Sequence, residues 1–109
     1  MMIMINNLKI FTLSSCSACQ NFKKQLIGAN IIFTEVICSD NINNNTCNEL
    51  EHISNCEVYP MVSLNNALLC ITDDYNLVGQ IKTHSNIKII YCHSIFNMFD
   101  IIKKILHLK

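Results

Sequence analysis

Leu8-Lys9-Ile10-Phe11-Thr12-Leu13-Ser14-Ser15-Cys16-Ser17-Ala18-Cys19-Gln20-Asn21-Phe22-Lys23-Lys24-Gln25-Leu26-Ile27-Gly28 is the stretch whose reading decides the fold. Leu8 to Leu13 is short, apolar and rich in β-branched residues, which predicts a buried strand. Ser14-Ser15 end it. From Ala18 to Ile27, apolar or small residues recur at Ala18, Cys19, Phe22, Leu26 and Ile27, the spacing of one helix face. Gly28 and Asn30 supply the stop. Ile31-Ile32-Phe33-Thr34-Glu35-Val36-Ile37 then reads as a second buried strand. A helix between two strands implies that they run parallel, because a tight turn can join only antiparallel neighbours.

The rest of the chain extends an α/β pattern. Asp40 to Asn45 is a polar, Asn-rich loop, and Cys47 to Ile53 a modest helix. Val58 to Leu64 and Ala67 to Ile71 are apolar runs separated by Asn65-Asn66, which predicts a hairpin, since Asn tolerates the positive φ of a tight turn. Thr72-Asp73-Asp74 offers a capping oxygen and negative charge to a helix N-terminus, so a third helix is expected to about Lys82, with Thr83 to Asn86 as loop. The tail from Ile87 to Lys109 reads as a short strand, Ile87 to Tyr91, and an amphipathic helix. Ile95, Met98, Phe99, Ile102, Ile105 and Leu106 share one face of that helix, expected to pack on the sheet.

The 109 residues make one domain with no linker or internal repeat, its core spanning about 8–82 and a C-terminal extension 87–109. Half the residues are hydrophobic and 15% are charged, which excludes a disordered chain. Eight basic residues balance eight acidic ones. Nucleic acid is therefore not an expected partner, since binding phosphates needs a surplus of positive charge, and Lys103-Lys104 is too small a cluster. Met1 to Asn7 lacks the charge and cleavage pattern of a secretory signal, and no apolar run is long enough to span a membrane. A cytoplasmic protein is expected. The 15 asparagines and 18 isoleucines point to A/T-rich codons, which suits a large DNA virus or a low-GC organism, with host cytoplasm or virion as the location if viral.

Seven cysteines, Cys16, Cys19, Cys38, Cys47, Cys56, Cys70 and Cys92, need an account. An odd count in a reducing compartment argues against a disulfide framework, so most are expected to be small buried hydrophobes. Cys16-Ser17-Ala18-Cys19 is the exception. A thiol at a helix N-terminus meets unsatisfied N–H groups and the positive end of the helix dipole, which favour the thiolate. A Cys-x-x-Cys between a strand and a helix reads as a redox site in which Cys16 attacks and Cys19 resolves. In so Cys-rich a chain the spacing could also arise by chance. A structural zinc site would need a second Cys/His pair, and Cys47, His52, Cys56 and Cys92-His93 give no such pattern, so no metal is expected. His52, His84, His93 and His107 are read as surface or capping residues.

On these residues the chain resembles the glutaredoxins, members of the thioredoxin-like superfamily. Phe11-Thr12-Leu13-Ser14-Ser15-Cys16-Ser17-Ala18-Cys19 lies against the family's active-site segment without a gap, Val58-Tyr59-Pro60 against its Thr-Val-Pro, and Cys70-Ile71-Thr72-Asp73-Asp74 against its Gly-Gly-Cys/Ser-Asp-Asp. The resemblance covers roughly Leu8 to Lys82. It implies a thioredoxin-like fold, with a four-stranded mixed sheet flanked by helices and a C-terminal helical extension. It also implies a cis-proline at Pro60 facing the cysteines, a backbone pairing of Tyr59 with the cysteinyl part of glutathione, and Thr72 and Asp73 holding the γ-glutamyl end. The family's lysine that binds the glycyl carboxylate is Leu13 here, a loss of about 1–3 kcal/mol of charge-assisted bonding. Its paired glycines are Cys70-Ile71, whose side chains crowd the groove.

The resemblance thus implies a thiol–disulfide oxidoreductase acting on protein or glutathione mixed disulfides. Glutathione or a reductase would be its electron source, with no tightly bound cofactor. Cys70, near the implied groove, is a candidate accessory thiol. The alternative is a module on the same fold that binds an iron–sulfur cluster or a partner, with weak or no redox catalysis.

Overall fold

The computed structural model describes residues 7–107, so most of the Met1–Asn7 segment and the last two residues of the tail lie outside the described residues. β1 (Leu8–Thr12) is followed by α1 (Ser17–Gly28), β2 (Thr34–Ile37), α2 (Asn44–Ser54), β3 (Met61–Leu64), β4 (Ala67–Ile71), β5 (Ile81–His84), β6 (Ile87–Cys92) and α3 (Ile95–Ile105). The sheet is mixed and six-stranded, in the order β2-β1-β3-β4-β6-β5. β1 and β2 are parallel, as the intervening helix implied, with Ile10 opposite Glu35. β3 is antiparallel to β1 and to β4.

The four-stranded expectation is corrected by β5 and β6. β6 lies parallel to β4, with Leu69 opposite Ile90, and β5 pairs antiparallel with β6 at the sheet edge. The expected helix from Thr72 to Lys82 does not form. Thr72 and Asp74 do cap, but they cap turns: Thr72 Oγ1 accepts the Asp74 N–H at 3.1 Å and Asp74 Oδ1 accepts the Asn76 N–H at 3.0 Å. Gly79 then turns the chain with φ +81, and Ile81 begins a strand. Thr83 and His84, expected in a loop, belong to β5. Ser85 and Asn86 (φ 49 and 69) make the hairpin turn to β6.

Smaller shifts follow ordinary rules. α2 begins at Asn44, inside the expected loop, and a 3-10 turn over Asn41–Asn43 leads into it. Asn30 and Asn55 adopt the left-handed conformation just past α1 and α2 (φ 58 at both). β2 starts only at Thr34, because the Ile31 N–H is taken by Leu26 O at 2.9 Å.

Alternation along the strands divides the core. Leu8, Ile10, Val62, Leu64, Leu69 and Cys92 face α1 and α3, which contribute Phe22, Leu26, Met98 and Ile102. Phe11, Met61, Leu68, Cys70, Ile89 and Tyr91 face the other way, towards α2 and the remaining cysteines. The apolar face of α3 is thus packed on the sheet, and its N-terminus is capped by Ser94, which accepts the Asn97 N–H at 3.1 Å. Lys23 Nζ meets Glu35 Oε2 at 2.8 Å, and Thr12 Oγ1 donates to the same oxygen at 2.7 Å. The ammonium group holds the Glu35 carboxyl below its ordinary range.

The thiols are mostly paired, which corrects the expectation of isolated buried hydrophobes. Disulfides join Cys16 to Cys19, Cys38 to Cys47 and Cys56 to Cys70. Cys92 is free and buried, and burial pushes its thiol up to about 12 from 9.0. A folded-state pKa above the unfolded value contributes stability that is intact below about pH 9 and lost as pH rises beyond it. Cys92→Ala is therefore expected to abolish about 1 kcal/mol of the alkaline destabilisation seen between neutral pH and about pH 10, measured by denaturant titration at both.

Candidate active site

The redox site forms where β1 ends and α1 begins. Ser14 and Ser15 turn the chain out of the sheet, and Cys16 becomes the N-cap of α1 in extended conformation (φ −101, ψ 107). Its Sγ accepts the Cys19 backbone N–H at 3.1 Å, filling the place that a serine or aspartate oxygen takes at most N-caps. Cys16 is half-buried, whereas Cys19, in the first turn, is 0% exposed. The Cα atoms are 5.2 Å apart, and the sulfurs are bonded.

Across from Cys16 runs the segment leading into β3. The Tyr59–Pro60 peptide bond is cis, and the Tyr59 carbonyl oxygen is 3.8 Å from Cys16 Sγ. The Tyr59 ring is buried, and its hydroxyl donates to Glu51 Oε2 of α2 at 2.7 Å. Burial, then the adjacent carboxylate, push that phenol above its ordinary range. Tyr91 reaches α2 too, donating to Ser54 O at 2.8 Å, and burial raises its pKa. These two phenols fix α2 against the sheet and so fix the height of Tyr59–Pro60 above Cys16.

Thus Cys16, Cys19, Tyr59 and Pro60 come together. Thr72 and Asp73 follow directly on β4, whose C-terminal end lies beside the start of β3 and so at the same end of the sheet as Tyr59–Pro60, but they stand in turns. With Tyr75, Val78 and His93 they line an open cleft of about 500 Å³ whose lining includes none of the four residues above. The Thr72 N–H, implied as a γ-glutamyl ligand, donates instead to Cys92 O at 2.8 Å, because β6 runs alongside β4. No helix follows to offer an N-terminus. Cys70 is bonded to Cys56 in the sheet interior and presents no thiol. The four histidines are exposed. Among the described residues no group of three or more His, Cys, Asp or Glu side chains is disposed to hold a metal ion, and no helix is long and apolar enough to cross a membrane.

One neighbour of the site went unread in the sequence. Ser39 Oγ accepts the Ser14 N–H at 3.0 Å and donates to Ser14 Oγ at 3.1 Å, tying the loop after β2 to the loop that carries Cys16. Nothing in its local sequence marks that contact, since it depends on the β1–β2 register. No protein-family model, curated protein or solved structure matches this chain.

Proposed function

We propose that the chain is a glutaredoxin-like thiol–disulfide oxidoreductase, reducing protein or glutathione mixed disulfides through Cys16 and Cys19. The observation that carries this reading is the position of Cys16: a half-exposed sulfur at a helix N-terminus, held by the Cys19 N–H and facing the Tyr59 carbonyl. The N–H and the helix dipole favour its thiolate once the pair is reduced.

In the forward step the Cys16 thiolate attacks one sulfur of a substrate disulfide. A Cys16–substrate bond forms as the substrate S–S bond breaks, and the other substrate sulfur leaves as a thiolate and takes up a proton. Cys19 then gives up its proton and attacks Cys16 Sγ, releasing the second substrate thiol and leaving the Cys16–Cys19 disulfide. Two electrons from glutathione or a reductase restore the dithiol. No metal or organic group takes part.

A thioredoxin-like fold is the finer architecture we assign. Supporting it are the adjacent order β2-β1-β3-β4, the parallel β1–β2 pair, and the opposed faces covered by α1 and α2. We place the protein in the cytoplasm, or in a virion or host cytoplasm if viral. Disulfides that persist in such a compartment belong mainly to catalytic or redox-sensing proteins.

The test is disulfide reduction by the wild-type chain and Cys16→Ser, driven in parallel by glutathione with glutathione reductase and by thioredoxin reductase. Activity in either arm, lost in the variant, is expected. Turnover with glutathione would mean that Tyr59–Pro60 and Cys16 suffice to engage it without a Lys at position 13. Turnover only with thioredoxin reductase would make the donor a protein. No turnover in either arm would refute the catalytic reading and leave binding of a cluster or partner.

A further inference from the structure

All three disulfides border one apolar cluster on the α2 side of the sheet, yet their surroundings differ. Cys56–Cys70 joins the segment after α2 to the next-to-last residue of β4, a strand between β3 and β6, with both residues buried. Cys38–Cys47 sits at the β2 edge of the sheet, and Cys38 directly continues the β1–β2 ladder: its N–H donates to Thr12 O at 2.7 Å. The next residue, Ser39, makes the two hydrogen bonds to Ser14, two positions before Cys16. Cys38 and Cys19 are both buried in the same cluster, against which Cys16 packs. The loop bearing one disulfide is therefore zipped to the loop bearing the other.

Cys47 adds a chemical reason. It lies in the first turn of α2, where the helix dipole favours a thiolate and so makes its sulfur the better leaving group. We propose that Cys38–Cys47 is a second redox-active pair, exchanging electrons internally with Cys16 and Cys19. The proposal rests on the reading of Cys16 as a nucleophile.

The step balances as a two-electron exchange. The Cys16 thiolate of the reduced site attacks Cys38 Sγ, forming a Cys16–Cys38 bond as the Cys38–Cys47 bond breaks. The electron pair leaves on Cys47, which takes up the proton given by Cys19. The Cys19 thiolate attacks Cys16 Sγ, the Cys16–Cys19 bond forms, and Cys38 leaves as a thiolate that is protonated from solvent. One dithiol is oxidised and one disulfide reduced, and the external reductant of the site then acts again. The chain would thus hold two exchangeable electron pairs, one at the surface and one behind it.

The experiment follows each cysteine pair by differential alkylation and mass spectrometry while the oxidised, full chain is reduced by whichever donor system supports turnover, or by dithiothreitol. In wild type, Cys38 and Cys47 are expected to become labelled soon after Cys16 and Cys19, with Cys56–Cys70 still closed. In Cys16→Ser their labelling should slow about ten-fold or more, because the internal nucleophile is gone. Cys19→Ser should trap the intermediate as peptide 10–23 disulfide-linked to peptide 36–49 through Cys38, after digestion with trypsin and Glu-C. Equal rates in wild type and Cys16→Ser would overturn the proposal, since the donor would then be attacking Cys38–Cys47 directly. So would a Cys38–Cys47 pair that stays closed while Cys16–Cys19 cycles, a result that leaves the catalytic reading intact. A Cys16 that never reacts would defeat both.

Discussion

Replacing Cys56 and Cys70 together by alanine is expected to cost about 3 kcal/mol of folding stability under non-reducing conditions, and about 10 °C in Tm. The magnitude comes from the loop that the bond closes. Fourteen positions separate the two cysteines, and freeing such a loop returns about that much entropy to the unfolded chain. The structure gives the bond unusual leverage. α2 buries only Cys47 and Ser54 fully, and its remaining apolar contacts are the half-buried Leu50 and Ile53. Its packing therefore leans on the Tyr59 and Tyr91 hydroxyls and on the disulfides at its two ends. For a domain of this size, 3 kcal/mol is on the order of a third of the whole. An unfolding free energy from denaturant titration within about 0.5 kcal/mol of wild type would show that apolar packing alone holds α2.

The half of the fold that carries Cys16 and Cys19 was legible in the sequence. Leu8 to Thr12, the helix from Ser17, the parallel β2 and the Asn65-Asn66 turn all follow from local pattern, and Asn65 does take a positive φ of 54. The apolar stripe from Ile95 to Leu106 likewise announced its burial. What failed was the segment from Thr72 to Asn86. Thr72, Asp73 and Asp74 are helix-capping residues in isolation, but the same side chains cap turns equally well, and the choice was decided by β6 taking the Thr72 N–H. β5 is exposed along its whole length, so it shows none of the apolar alternation that marks a half-buried strand. Its one signal was the two-residue turn Ser85-Asn86 between β-branched runs, the same device that Asn65-Asn66 displayed.

The disulfide pairs were illegible for a different reason. Cys38 and Cys47 are nine positions apart and Cys56 and Cys70 fourteen, and nothing local distinguishes those pairings from others. They follow from which strand positions face α2. The inference from compartment, that buried thiols stay free, considered neither that geometry nor a protein whose own task is thiol exchange.

Cys16→Ser is expected to lower disulfide reduction at least about a thousand-fold, while Cys19→Ser keeps the first attack and accumulates a substrate mixed disulfide. The asymmetry follows from exposure. Cys16 sits at the mouth of the site, and Cys19, 0% exposed, cannot reach a macromolecular disulfide until that disulfide is already on Cys16. Serine at position 16 separates chemistry from folding: its hydroxyl is a preferred N-cap and can accept the Cys19 N–H that Sγ now accepts, so α1 keeps its cap while the nucleophile is lost. Alkylation of the reduced protein at graded pH supplies a second readout. Cys16 should titrate below the ordinary thiol value of roughly 8.5, because N–H donation and the helix dipole favour its thiolate. Cys92, pushed up to about 12 by burial, should resist labelling throughout and serve as the internal control. A Cys19→Ser protein whose Cys16 forms neither the substrate mixed disulfide nor the bond to Cys38 and does not alkylate early would mean that the N-cap contact does not activate Cys16, and the order of attack would have to be reversed or abandoned.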